Sequence, residues 1–222
     1  MYVKKGMMQI AADFYKKLFA KEDDAKVKLG ANFWGEQDSV TPEENSSLIA
    51  PFSKSEIKEA IFSSYAEGAP GPDGLPFLFF QKFWDLMKKD LVALFEDFHK
   101  GKLDLYRLNC ALITLIPKVG EATNMKQFRP INLLNCSFNF FSKILTLRLS
   151  PIVQRIVAPT QTAFIKGRYI LESVVVTHEL VHSVNKSGEQ GIVLKLDYEK
   201  AYDRVNWTFL FICFKLESLT QW

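Results

Sequence analysis

The hexapeptide Ala69-Pro-Gly-Pro-Asp-Gly74 punctuates the first half of this chain. Pro70 and Pro72 fix φ and lack an amide donor, and Gly74 admits positive φ. The segment therefore reads as a tight turn and not as helix interior or strand. Helical patterns flank it. Upstream, Ser53-Lys-Ser-Glu56 is a capping box for a helix carrying Ile57, Ala60 and Ile61, expected to stop at Glu67-Gly68. Downstream, an aromatic-rich helix is expected from about Pro76 to His99, closed by Gly101.

The rest alternates irregularly. Residues 8–21 show a helical stripe (Ile10, Ala11, Phe14, Leu18, Phe19), and residues 22–52 read as a polar loop or linker. The apolar run Ala111–Ile116, stopped by Pro117, predicts a strand. It is expected to pair with Phe128-Arg-Pro-Ile-Asn-Leu-Leu134 as a hairpin whose loop, Val119 to Gln127, carries Lys126 and leads to Arg129. Residues 137–156 read as a helix that Pro151 kinks or splits. A helix over 170–186 follows, with Leu171, Val174, Val181 and Val184 toward a core. A strand over 192–197 and a helix from Trp207 complete the pattern. The class is α+β (mixed α/β) and helix-rich, with 1–52 as an N-terminal helix and linker and 53–222 as one domain.

The apolar runs are far shorter than the roughly 20 residues of a membrane span, and the N-terminus shows no signal-peptide core. Three widely spaced cysteines (Cys110, Cys136, Cys213) suggest reduced core thiols in an intracellular protein, with no disulfide partner. The formal net charge of +3 hides a segregation. Residues 1–99 carry 12 Lys/Arg and 16 Asp/Glu, residues 100–170 carry 11 and 2, and residues 171–222 carry 5 and 7. The basic middle block favours polyanionic partners, or else is a solvated face.

Gly191-Ile-Val-Leu-Lys-Leu-Asp197-Tyr-Glu-Lys-Ala-Tyr202-Asp203 ends an apolar run on a carboxylate, with an aromatic five positions on. Together with three earlier blocks it resembles the reverse transcriptases of non-LTR (LINE-type) retrotransposons, in the style of plant elements. Those blocks are A-P-G-P-D-G-L-P-F-L-F-F-Q-K-F-W (69–84), L-I-P-K with F-R-P-I-N-L-L-N (115–135), and Q-T-A-F-I-K-G-R-Y-I (161–170). The resemblance covers residues 55–210. Residues 8–21 resemble the helix that joins an upstream endonuclease to the polymerase in such elements.

The resemblance implies a partial fingers–palm fold with a fingers hairpin and a truncated palm sheet. It implies a polymerase that adds dNTPs to a DNA primer on an RNA template by two-metal chemistry, with Mg²⁺ ions about 4 Å apart. Hard Mg²⁺ explains why the ligand is Asp and not His or Cys. By resemblance, Asp197 is the catalytic metal-bridging carboxylate and the Tyr198 carbonyl a further metal ligand. Tyr202 is the gate against the 2′-hydroxyl. Arg129, with Lys118, grips the triphosphate. Lys166 and Arg168, with Lys126, contact the nucleic-acid backbone. Asp203 reads as structural.

His178-Glu-Leu-Val-His182 spells the zincin pattern H-E-x-x-H on a helix, an alternative in another enzyme class. Its third ligand would have to be Glu189 or Glu199. The resembled family carries a similar helix ending "ELVH", so we read the match as coincidence. No second acidic motif of the A-D-D type occurs in the 222 residues. The chain is therefore expected to be truncated and inactive alone. The alternatives are a nucleic-acid-binding remnant without catalysis, or a decayed fragment with an open sheet edge.

Overall fold

The computed structural model describes residues 2–20, 39–188, 190–196, 198, 201–202 and 205–216. Two compact units emerge, residues 46–149 and residues 1–45 with 150–222. The described elements are helix-rich with one antiparallel hairpin, the α+β class the sequence predicts.

In the first unit, α3 (Lys54–Phe62) starts as expected. Ser53 Oγ accepts from the Glu56 amide and Glu56 Oε2 accepts from the Ser53 amide. It ends earlier than expected, at Phe62. Ser64 Oγ donates to the Ala60 carbonyl at 2.7 Å, and Gln81 Nε2 donates to the carbonyls of Ile61 and Ser64. These bonds occupy the carbonyls that another helical turn would use. The long helix predicted after the turn is two helices, α4 (Phe77–Lys82) and α5 (Trp84–His99), broken at Phe83. The break lets Phe80 and Trp84 both enter the core. A short α6 (Leu105–Leu108) precedes the hairpin.

The hairpin forms as predicted. Strand β1 (Ala111–Pro117) pairs antiparallel with β2 (Phe128–Leu134), placing Ile116 opposite Arg129 and Thr114 opposite Ile131. Its loop is held by Gln127 Oε1, which accepts from the amides of Thr123 and Asn124. Helix α7 (Cys136–Ile156) runs through Pro151 without splitting.

The core of this unit gathers Ile57, Ala60 and Ile61 of α3 with Phe80, Trp84, Leu91 and Phe95. Cys136, Phe140, Phe141 and Ile144 of α7 close it. Spacings of three and four residues put each set on one helical face. Phe80 meets Phe140 edge to face at 4.7 Å, and Phe95 meets Phe141 at 4.5 Å. Such pairs add about 0.5–1.5 kcal/mol each beyond their burial.

The Pro-Gly turn docks on the strand–helix junction. A Cβ on Gly71 would lie 2.5 Å from the Asn135 amide nitrogen and the Leu134 carbonyl carbon, so only glycine fits without backbone movement. The Asp73 amide donates to Asn135 Oδ1 at 3.1 Å. Arg148 of α7 ties down the segment entering α3. It pairs with both Glu56 oxygens, donates to the carbonyls of Leu48, Ala50 and Pro51, and lies over the Phe52 ring.

In the second unit, α1 spans Tyr2–Leu18, starting before the stripe at 8–21. The region read as a loop contains a helix, α2 (Pro42–Ile49). Thr41 Oγ1 accepts from the Glu44 amide, and Glu44 Oε2 accepts from the Thr41 amide. Thr41-Pro-Glu-Glu44 is thus a capping box with proline at the first helical position, a sequence signal passed over above. Arg155 bonds both Glu44 oxygens and the Ser39 carbonyl.

Helix α8 (Ile170–Ser187) forms as expected, closed by left-handed Gly188, but it buries no residue. Leu171, Val174 and Val181, expected toward a core, are exposed, and Val184 is half-buried. No regular structure is assigned to 192–196, where a strand was expected. A strand exists only through ladder bonds to a neighbour, and the sole sheet among the described residues is β1–β2. Helix α9 (Trp207–Leu216) starts as predicted, with Asn206 Oδ1 accepting from the Phe209 amide.

Candidate nucleotide and nucleic-acid site

The hairpin positions the triphosphate candidates of the first unit. Arg129 is the second residue of β2 and exposed. Lys118 follows β1, and its amide donates to the Gln127 carbonyl at 2.7 Å, continuing the ladder one step beyond Pro117. Strand alternation then puts Lys118 and Arg129 on the same face, with Ile116 directly opposite Arg129. Lys126, in the turn Met125–Gln127, is exposed. Among the described residues, no carboxylate pairs with Lys118, Lys126 or Arg129. The hairpin thus offers cations free to meet an anion, unlike Arg148, which is committed to Glu56.

The second unit carries the other candidates. Lys166 is exposed on the turn before α8. Arg168, two residues on, is engaged differently from its expected role. Its Nη1 donates to the carbonyls of Ala158 and Gln161, and its Nη2 to those of Gln154 and Val157, at 2.6–2.9 Å. A guanidinium so occupied shapes the loop and has little donor capacity left for phosphate. Tyr198 and Tyr202 are exposed, the latter in a turn. Asp197, Asp203, Glu189 and Glu199 lie outside the described residues.

Glu44 and Glu56 are held below the usual carboxylate range, chiefly by hydrogen bonds from Arg155 and Arg148 respectively. Both are ion pairs of the scaffold. Burial pushes the Cys136 thiol up to about 11, with the nearby Asp73 charge adding to it. Cys110, expected in the core, is exposed at the start of the hairpin, where neither face of β1 is covered.

No three His, Cys, Asp or Glu side chains among the described residues converge as a metal site, and these include His178, Glu179 and His182. The donor chemistry of Asp197, a hard carboxylate, fits a hard divalent cation. No helix among the described residues is long and apolar enough to cross a membrane.

The hairpin thus joins a helical core and carries two cations on one face with no carboxylate partner among the described residues. Residues 116–221 match the family model of reverse transcriptase (RNA-dependent DNA polymerase). That segment is thus similar to reverse transcriptases, a family whose members act with a divalent metal on nucleic acid and deoxynucleoside triphosphates. The chain is also similar to a transposon protein. It is 32% identical over 203 residues to the transposon TX1 uncharacterized 149 kDa protein of Xenopus laevis. That alignment takes in 90% of this chain, and the chain spans about 15% of the relative's length.

Proposed function

We propose that this chain is the substrate-gripping portion of an RNA-directed DNA polymerase, handling an RNA template, a DNA primer and dNTPs, with Mg²⁺ as the metal. The observation that carries the reading is the hairpin, whose loop and second strand lie within the matched region, and which sets Lys118 and Arg129 on one face with no carboxylate partner among the described residues. A planar guanidinium suits bidentate contact with phosphate oxygens, and a neighbouring ammonium adds a mobile point charge. Lys126 and Lys166 neutralise backbone phosphates. Arg168 holds the loop that presents Lys166 and acts through it. Asp197 and the Tyr198 carbonyl are the metal ligands this chain would supply, and Tyr202 guards against the ribose 2′-hydroxyl. When bound, Mg²⁺ supplies charge neutralisation at the phosphates.

The 222 residues carry no A-D-D motif beside Asp197. This polypeptide alone is therefore expected to bind primer–template without extending it. Primer extension in Mg²⁺ or Mn²⁺ tests that half: incorporation that Asp197→Asn abolishes overturns it. Salt-dependent binding of a primer–template tests the other half. Arg129→Ala and Lys118→Ala should weaken protection by dNTP in a thermal-shift titration, and unchanged protection removes the triphosphate assignment.

A further inference from the structure

The loop between α7 and α8 is braced by hydrogen bonds, yet it displays an aromatic ring to water. Four carbonyls from Gln154 to Gln161 converge on the Arg168 guanidinium. Gln161 Nε2 donates to the Ala163 carbonyl, and the Arg168 amide donates to the Ile165 carbonyl. Thr162, buried, shares a hydrogen bond with Ser173 of α8. Phe164 sits at the tip of this braced turn with φ 64°, the sole non-glycine with positive φ among the described residues. The residue is fully exposed, at 103%. A left-handed backbone at a bulky residue costs about 1–2 kcal/mol, and the exposed ring recovers none of that by burial. Lys166, also exposed, stands two residues on.

We propose that Phe164 is a stacking platform for one unpaired nucleobase of a single-stranded nucleic acid, with Lys166 taking an adjacent phosphate. A flat, fully accessible ring beside a cation matches the two parts of a single strand, the base face and its phosphate. The clamp by Arg168 braces the backbone of the loop that carries the ring, so little backbone freedom is lost on binding. The assignment rests on the nucleic-acid role proposed above but adds a base contact to a backbone contact, and the two separate experimentally. Stacking tolerates any base, so the platform gives affinity without sequence choice.

The test uses the full chain and fluorescence anisotropy with single-stranded RNA and DNA oligonucleotides, each also made with abasic positions. Phe164→Asn removes the ring while keeping a residue that accepts the left-handed backbone, and Phe164→Trp keeps a ring and adds a fluorophore. Expected are binding about 5- to 150-fold weaker for Phe164→Asn, near-normal binding for Phe164→Trp with its emission quenched at saturation, and an unchanged salt slope in both. Lys166→Ala should instead flatten the salt slope by about 0.7. The RNA and DNA arms decide which strand the platform takes. Equal binding of intact and abasic strands, or wild-type affinity in Phe164→Asn, overturns the platform while salt-dependent binding keeps the wider reading. Absence of binding at low salt overturns both. Self-association lost in Phe164→Asn would assign the ring to a protein contact and overturn the platform.

Discussion

Gly71 shows what a single hydrogen in place of a methyl can hold. The turn backbone approaches the Leu134–Asn135 peptide so closely that a Cβ would meet backbone atoms at 2.5 Å, and backbone cannot swing aside as a side-chain tip can. Gly71→Ala should destabilise the first unit by about 1–3 kcal/mol, read as a fall in thermal midpoint. An unchanged midpoint would mean the turn is not docked there. Cys136 and Cys110 differ in the same residue-level way. With a thiol pushed up to about 11 and almost no exposure, Cys136 should resist iodoacetamide at neutral pH, while exposed Cys110 reacts. Mass mapping of the labelled peptides checks it, and early label on Cys136 would contradict the burial. Both glycine and cysteines were visible as letters. Their packing was not, because a turn signal does not say what the turn lies against.

At the scale of elements, Arg148 links α7 to the start of α3. Its side chain is 9% exposed and holds Glu56 and three carbonyls at once. Arg148→Met leaves those acceptors unpaired and should cost about 3 kcal/mol, measured by urea unfolding. Glu56 carries the pH dependence of this link. Its folded value lies below its ordinary one because Arg148 bonds the ionised form. Its contribution is therefore present above the ordinary carboxylate range and is lost as pH falls through the lowered folded value. An acid titration of stability should be shallower below about pH 4.5 in Glu56→Gln than in wild type, and superimposable curves would remove the assignment. The capping box of α3 and the hairpin strands were legible because they are local patterns of four to seven residues. The early end of α3 was not, because Gln81, far along the chain, helps to set it.

For the whole molecule, the decisive measurement is whether the polypeptide binds a primer–template without extending it. The family was legible in the order of four sequence blocks, and the match over residues 116–221 agrees. The roles within those blocks were less legible. By resemblance Arg168 is a phosphate contact, yet its donors go to four carbonyls of α7 and its own loop. Arg168→Lys should therefore lower thermal stability, since an ammonium cannot span four acceptors with a planar fork. A variant as stable as wild type but weaker in binding would restore the phosphate role.

Local chemistry determined the α+β class, the hairpin and the capped helices, because periodicity, caps and turns act over a few residues, while the likeness to reverse transcriptases rested on the order of the motif blocks. The tertiary structure alone decided which cations are free and which are committed. Lys118 and Arg129 stay open on one face, while Arg148, Arg155 and Arg168 are bound within the scaffold. The reason is physical: a charge in the sequence has no partner until the fold brings carboxylates and carbonyls within hydrogen-bond reach.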